Sequence, residues 1–423
     1  WLLTNWSLVR TQHGPPLQQT THGWFFLIQR DAAVSDLATR DHDGNGIVFM
    51  ESPVSSTFHP PQRTLMGPGP SDVSPRVLAA SARPTIGHLD PEFVALMEDI
   101  KELLRYCFKT KNTLTLPLSA PGSAAMEAAY ANLLEPGDKA IVCINGVFGM
   151  RMAENVRRMG GELVTVEDEW GTPVNADKLK AALQQHPDAK IVGFVHAETS
   201  TGVCSDAKTL CALAREAGCL TIVDSVTGLA GVELLVDEWG ADVTYSGTQK
   251  CLSAPPGISL ITFSEKAAAH VQARNTPVQS WFLDLSLLMA YWQGDGARTY
   301  HHTAPVNAMY GLHEALLMVQ EEGLENSWQR HRAMHDELAK GVQDLGLSFV
   351  VDAEHRLPQL NLVRCPEGID EAAVRKRLLQ EYNLEIGAGL GAFAGKVWRI
   401  GLMGYSARLE NIQLCVSALR NCI

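Results

Sequence analysis

The strongest constraint on this chain is a strand–helix alternation that starts near residue 112. Seven apolar runs read as strands: Thr113–Leu118, Ala140–Ile144, Leu163–Val166, Ile191–Val195, Leu220–Val223, Val243–Tyr245 and Ile258–Phe263. Helical patterns lie between several of them, at Ser123–Leu134, Met150–Met159, Ala176–Leu183 and Ala207–Ala217. A strand that is apolar throughout must be covered on both faces, and amphipathic helices supply the cover. The reading is an α/β chain with a mostly parallel sheet. In such a sheet ligands sit at the carboxyl ends of the strands.

After about residue 310 the pattern changes. Helices over Gly311–Gly323 and Asn326–Leu345 lead into strand-like Phe349–Val351 and Leu360–Val363. Helix Glu371–Tyr382, strand Val397–Ile400 and helix Leu409–Leu419 follow. This predicts a smaller α+β C-terminal domain over 311–423 beside a large domain over 85–310. Residues 1–49 show no sustained period and read as a poorly structured N-terminal extension, with residues 50–84 as an arm.

Charge and cysteine usage exclude several classes. Lys plus Arg is 35 and Asp plus Glu is 47, a formal charge of −12. An acidic chain without a Lys/Arg run is a poor partner for nucleic acid or an anionic membrane. No apolar run approaches the roughly 20 residues that a membrane span needs. The nine cysteines are scattered and form no CxxC pair. That argues against a disulfide framework or a zinc site, and for a reducing compartment such as the cytoplasm. Residues 1–30 hold no Asp or Glu but only two arginines, Arg10 and Arg30, so they are a thin match to an organellar transit peptide.

Three charged residues sit where strands end. Asp224 closes Leu220-Thr-Ile-Val-Asp, Lys250 follows Val243-Thr-Tyr-Ser-Gly-Thr-Gln, and Arg399 lies in Val397-Trp-Arg-Ile-Gly. Each has an ordinary reading: a strand-end Asp caps a helix, and a lone lysine or arginine is solvated. Lys250 is set apart by its position between an apolar strand and Ser253-Ala-Pro-Pro-Gly, which is no solvated face. Desolvation there lowers the amine pKa and frees it for imine formation.

Pyridoxal 5′-phosphate would need all three residue types. Its aldehyde needs a lysine, and its ring nitrogen needs a carboxylate that keeps the proton on. The substrate carboxylate needs a forked, permanently charged partner. A phosphate cradle is offered by Ser119-Ala-Pro-Gly-Ser-Ala-Ala-Met-Glu-Ala, which follows a strand and opens a helix.

The motifs around these residues resemble the class V aminotransferases, a branch of the fold type I transferases that use pyridoxal phosphate. The likeness rests on Asp224-Ser-Val, Tyr245-Ser-Gly-Thr-Gln-Lys250 and Ala254-Pro-Pro-Gly. It extends through Leu65-Met-Gly-Pro-Gly-Pro-Ser, Pro84-Thr-Ile-Gly-His-Leu-Asp-Pro-Glu-Phe, Leu133-Leu-Glu-Pro-Gly-Asp, Tyr300-His-His-Thr-Ala-Pro-Val, Gly323-Leu-Glu-Asn-Ser-Trp and Gly395-Lys-Val-Trp-Arg-Ile-Gly. Within that family it is nearest to the alanine–glyoxylate and serine–glyoxylate (serine–pyruvate) aminotransferases.

The resemblance implies a role for each matching position. Lys250 carries the cofactor and shuttles a proton, while Asp224 pairs with the ring nitrogen. Val226 and Phe148 pack on the two ring faces. Gly122, Ser123 and Gln249 hold the phosphate, and Thr199 bonds the ring hydroxyl. Arg399 takes the substrate carboxylate, and Gly69 lines the substrate mouth. Tyr300 and Thr303 reach the phosphate of a neighbouring subunit, so a homodimer is implied, with the 50–84 arm at its interface. The implied reaction moves an amino group from alanine or serine to glyoxylate, giving glycine. A functional enzyme starting near Met50 is expected, so deletion of residues 1–49 should leave activity intact.

One position departs from the family pattern. Ala120-Pro121 stands where a Gly-Ser or Gly-Thr pair is usual, and proline has neither N–H nor hydroxyl to offer a phosphate. Looser cofactor retention is the expected consequence.

Other readings carry less. Asp41-His-Asp-Gly-Asn-Gly resembles the start of a calcium loop, but the twelfth position is Ser52 rather than Glu. His301 and His302 are adjacent, and in an extended segment their side chains should point apart, so no metal is expected. Cys251 reads as a packing residue. Desulfurase or lyase chemistry on the same fold is the alternative, and a desulfurase would need a reactive cysteine, for which Cys365 is the nearest candidate. A non-catalytic relative would have little use for Lys250, Asp224 and Arg399 together.

Overall fold

The seven apolar runs form a single sheet. A computed structural model describes residues 57–292 and 298–423. The strands are β1 (Leu114–Leu118), β2 (Lys139–Ile144), β3 (Glu162–Glu167), β4 (Ile191–Val195), β5 (Leu220–Asp224), β6 (Val243–Gly247) and β7 (Ser259–Phe263). Their order across the sheet is β1-β7-β6-β5-β4-β2-β3. Only β7 runs against its neighbours, pairing antiparallel with both β1 and β6. Two reversals restore direction, so β1 runs parallel to β6, and every strand except β7 points its carboxyl end at the same edge.

Strands β1, β4, β5, β6 and β7 are buried at every residue, as continuous apolar runs require. Edge strand β3 is mostly half-buried or exposed. Helices α3 (Gly122–Leu133) and α4 (Val147–Arg158) lie against the sheet, with Ala125, Met126, Ala128 and Ala129 of α3 buried. Pro61–Ile423 is one compact unit.

A second apolar core gathers Met66, Leu338, Val342, Leu378, Trp398, Ile400, Ile412 and Leu419. Its sheet has three strands, with Val397–Gly401 between Leu360–Arg364 and Gly387–Ala388, all antiparallel. The expected strand at Phe349–Val351 is absent. Phe349 makes one isolated bridge to Val363, and the helix Leu324–Asp344 and its turn bring the chain only briefly alongside that edge. The parallel pair Thr64–Leu65 with Leu384–Glu385 ties the N-terminal segment to this layer.

Among the described residues five α-helices have no counterpart in the sequence reading: α1 (Pro75–Ser81), capped by Ser74, α2 (Pro91–Phe108), capped by Asp90, and Val236–Trp239, Glu265–Gln272 and Leu285–Trp292. Among the described residues no helix is long and apolar enough to cross a membrane. The calcium-like stretch at Asp41 and the 1–49 extension lie outside the described residues.

Candidate active site

Five of the six strands that end at the common edge, all but β3, each deliver one part of the site. From β1 the chain passes through Ser119–Pro121 into α3. Pro121 stands at the N-cap with φ −67° and ψ 167°, and no side chain caps the helix. The N–H groups of Gly122 and Ser123 are left for an anion, while that of Ala124 donates to the Pro121 carbonyl, and proline pre-sets the turn without donating. From β2 the chain enters α4, which starts at Val147 rather than Met150, so Phe148 sits in a first helical turn. After β4 come Glu198 and Thr199, β5 ends on Asp224 itself, and β6 leads to Gln249 and Lys250.

One cavity of about 170 Å³ brings together Gly122, Ser123, Phe148, Asp224, Val226, Gln249 and Lys250, with Pro121, Met126 and Arg151 completing its wall. Gly69 has φ +105°, and a Cβ there would stand 2.6 Å from Lys250 Nζ, so only glycine lets the 68–70 turn approach the amine. Lys250 Nζ donates to the carbonyl of the adjacent Pro68. Arg399 Nη1 donates to the carbonyl of Thr199 at 3.1 Å, and its Nε donates to that of Ala388 at 2.6 Å. The Thr199 hydroxyl is hydrogen-bonded to that of Thr227. Tyr300 and Thr303 do not line this cavity. Their hydroxyls are 3.4 Å apart, and Tyr300 is 60% exposed.

Burial sets the protonation of the three central groups. Asp224, 2% exposed, is pushed up to about 7 by desolvation, against the pull of the Val226 N–H and the Tyr245 hydroxyl, each 2.9 Å from its oxygens. Lys250 is pushed down to about 8, first by burial and then by the charge of Arg399. Burial lowers Arg399 to about 10, partly offset by the charge of Glu198. At neutral pH the arginine therefore stays charged while the other two sit near their titration points.

Glu198 and Tyr245 were missed by the sequence reading. Glu198 is fully buried, and it accepts from the N–H of Phe148 at 3.2 Å, the N–H of Ser200 at 2.9 Å and the Ser200 hydroxyl at 2.5 Å. Burial pushes this carboxyl above the usual carboxylate range, and the donors around it, all of which favour the charged form, offset that only in part. Glu198 joins the start of α4 to the loop that carries Thr199. The rule that found Asp224, a carboxylate just past an apolar strand, applies equally to Glu198.

The two histidines correct a second expectation. His301 Nδ1 and His302 Nδ1 are 2.7 Å apart, so the two side chains do not point apart. His302 Nε2 is 2.7 Å from the Ser119 hydroxyl, which ties the segment to the cradle. His302 is pushed down to about 4, mainly by burial and then by His301 and His88, so it is neutral. Among the described residues no cluster of three or more ligating side chains could hold a metal.

Neither nearby cysteine suits thiol chemistry. The Cys251 thiol is buried and pushed up to about 12. Cys365 lies just after Leu360–Arg364, is directed at the carbonyl of Ile369 at 3.4 Å, and is also raised by burial. A larger cavity, about 430 Å³, lies beside Cys251–Ser253. Charged groups on its wall are already paired, Arg76 with Glu321, Arg330 with Glu322, and Arg408 with Asp72 and Glu410 beyond the wall.

A lysine, a carboxylate and an uncapped helix start on one sheet edge, with an arginine close by, define a transaminase-like site. The model of the class-V aminotransferases matches residues 74–412, and this chain belongs to that family. The alanine–glyoxylate aminotransferase of Rattus norvegicus is 42% identical over 365 residues, covering 86% of this chain and 88% of the relative. The crystal structure of an alanine–glyoxylate aminotransferase from Nostoc sp. superposes with a TM-score of 0.85 at 45% identity, covering 87% of this chain and 97% of that one. The ureidoglycine–glyoxylate aminotransferase of Bacillus subtilis gives a TM-score of 0.85 at 39% identity, covering 87% and 94%.

Proposed function

We propose that this chain transfers the amino group of a small amino acid, alanine or serine, to glyoxylate, giving glycine and the matching 2-oxo acid. The observation that carries the reading is the convergence of Lys250, Asp224 and the uncapped start of α3 on one small cavity beside Arg399. Glyoxylate is common to the names of the relatives from rat, Nostoc and Bacillus subtilis, whereas their amino donors differ. Family membership and names support the acceptor more strongly than the donor.

The residues present fit pyridoxal 5′-phosphate. Lys250 would hold its aldehyde carbon, and Asp224 its ring nitrogen. Val226 and Phe148 would take its faces, with Thr199 at its hydroxyl. Gly122, Ser123 and Gln249 would hold its phosphate. Gln249 has a buried side-chain oxygen without a partner among the described residues, and exchanging the oxygen and nitrogen of that amide puts a donor there, as a phosphate requires. When bound, the cofactor supplies a carbonyl for the amino group and a ring that withdraws electrons from the substrate Cα.

The chain's own groups do the rest. Lys250 Nζ is neutral often enough near pH 8 to take the substrate Cα proton, and it holds that proton until it is returned. The carboxylate of Asp224 keeps the ring nitrogen protonated, with the Tyr245 hydroxyl and the Val226 N–H fixing its direction. Arg399 orients the α-carboxylate, which amino and oxo acids share, so both half-reactions use one site in turn. Gly69 keeps the mouth beside the amine open.

Tyr300 and Thr303 are assigned to the phosphate of a second copy in a homodimer, supported by the exposure of Tyr300 and by their absence from the wall of their own cavity. The second core, which beyond Met66 runs from Leu338 to Cys422, supports a small C-terminal domain beside a large one, proposed over 311–423 and 85–310 with 50–84 as the arm, although Leu312, Leu316 and Leu324 pack in the first core. Nine free cysteines support a reducing compartment such as the cytoplasm. The test is a donor–acceptor matrix with purified protein. Glycine should form from glyoxylate with alanine or serine as donor; glycine formed with neither donor would refute the assignment.

A further inference from the structure

The bound cofactor brings a dianionic phosphate, and Pro121 has removed one of its expected donors. The cavity wall contains two cations, Lys250 and Arg151. Lys250 is committed to the aldehyde carbon. His302, the imidazole tied to the cradle through Ser119, is neutral. That leaves the charge of the phosphate to be met by Arg151.

The placement of Arg151 is specific. It sits one helical turn after Phe148 on α4, with its guanidinium 4.9 Å from the centre of the Phe148 ring. This stacking holds the planar fork at the cavity wall without using any of its N–H donors. The guanidinium has no carboxylate partner and no hydrogen bond among the described residues. Arg157 and Arg158 on the same helix, by contrast, both pair with Glu154. The first turn of α3, with Gly122 and Ser123, lines the same wall. An unpaired guanidinium facing an uncapped helix start is a two-sided receptor for a phosphate.

We propose that Arg151 is a phosphate-binding residue of this site, supplying from α4 the cation that the Ala120-Pro121 cradle lacks. The proposal rests on the cofactor assignment above. It makes Phe148 both a ring-stacking residue and the platform that aims Arg151.

The test is titration of the purified apoprotein with pyridoxal 5′-phosphate and, separately, with pyridoxal, which has no phosphate, followed by absorbance. Removing one charge-assisted contact in Arg151→Gln should weaken binding of the phosphate form by about tenfold or more and leave pyridoxal binding unchanged. Arg151→Lys should restore part of the loss, as a point charge can. Equal affinity of Arg151→Gln and the parent for the phosphate form would overturn the proposal. So would an equal loss for both ligands, which would show a general effect on the pocket. A parent protein that binds neither ligand would instead refute the cofactor assignment itself.

Discussion

The carboxyl edge of the large sheet and the strand Val397–Gly401 both bury a charge, with opposite results. At the large-sheet edge, burial moves Asp224 up to about 7 and Lys250 down to about 8, so both can exchange protons near neutral pH. In the C-terminal layer burial moves Arg399 only to about 10, and it remains a cation. The surroundings differ too. Asp224 is held by a hydroxyl and an N–H that favour its charged form, while Arg399 is held by two backbone carbonyls that use part of its fork. In the proposed reaction the first region exchanges protons and the second holds a carboxylate. The same desolvation separates them because their starting pKa values differ.

Breaking the reacting side should have the largest effect. Lys250→Ala should lower turnover by about a thousandfold or more while still allowing the cofactor to bind without a covalent bond. Turnover with the alanine variant near that of the parent, measured in a steady-state assay, would remove Lys250 from the reaction.

Breaking the holding side should affect binding instead. Arg399→Ala deletes a desolvated charge partner and should raise KM for the amino and oxo substrates alike, by about 2–4 kcal/mol. A change in KM for only one of the pair would separate Arg399 from the carboxylate they share.

The finest distinction concerns what supports Asp224. Tyr245→Phe removes a donor to its carboxylate, raises its pKa further and should weaken cofactor affinity by about 1 kcal/mol, several-fold, with KM for substrates unchanged. Equilibrium titration with the cofactor reads this directly, and an unaltered affinity would show that the hydroxyl is dispensable.

The two regions were also unequally legible in the sequence. Strands buried on both faces announce themselves as apolar runs, which is why β4 is observed over the same residues, Ile191–Val195, that the pattern marks. Asp224 and Lys250 could be placed because strand ends are local features. Phe349–Val351 misled because its β-prone composition is satisfied by packing on the second core, with a single bridge to Val363. Helix Pro91–Phe108 carries its own signals, Asp90 as cap and Pro91 at the first position, but these lie inside a motif read only for its family likeness. The clasp of Glu198 on the N–H of Phe148 depends on β2 and β4 being neighbours in space. No spacing in the chain encodes that.

Lys250 is a desolvated amine proposed to react in its neutral form, and the pH dependence of cofactor capture reads that form. With apoprotein and a fixed concentration of pyridoxal 5′-phosphate, the capture rate should rise about tenfold per pH unit below the lysine pKa. It should level off above about 8, the value to which burial brings the amine. A rate that climbs without a break to the pKa of a solvated lysine, about 10.4, would contradict the account.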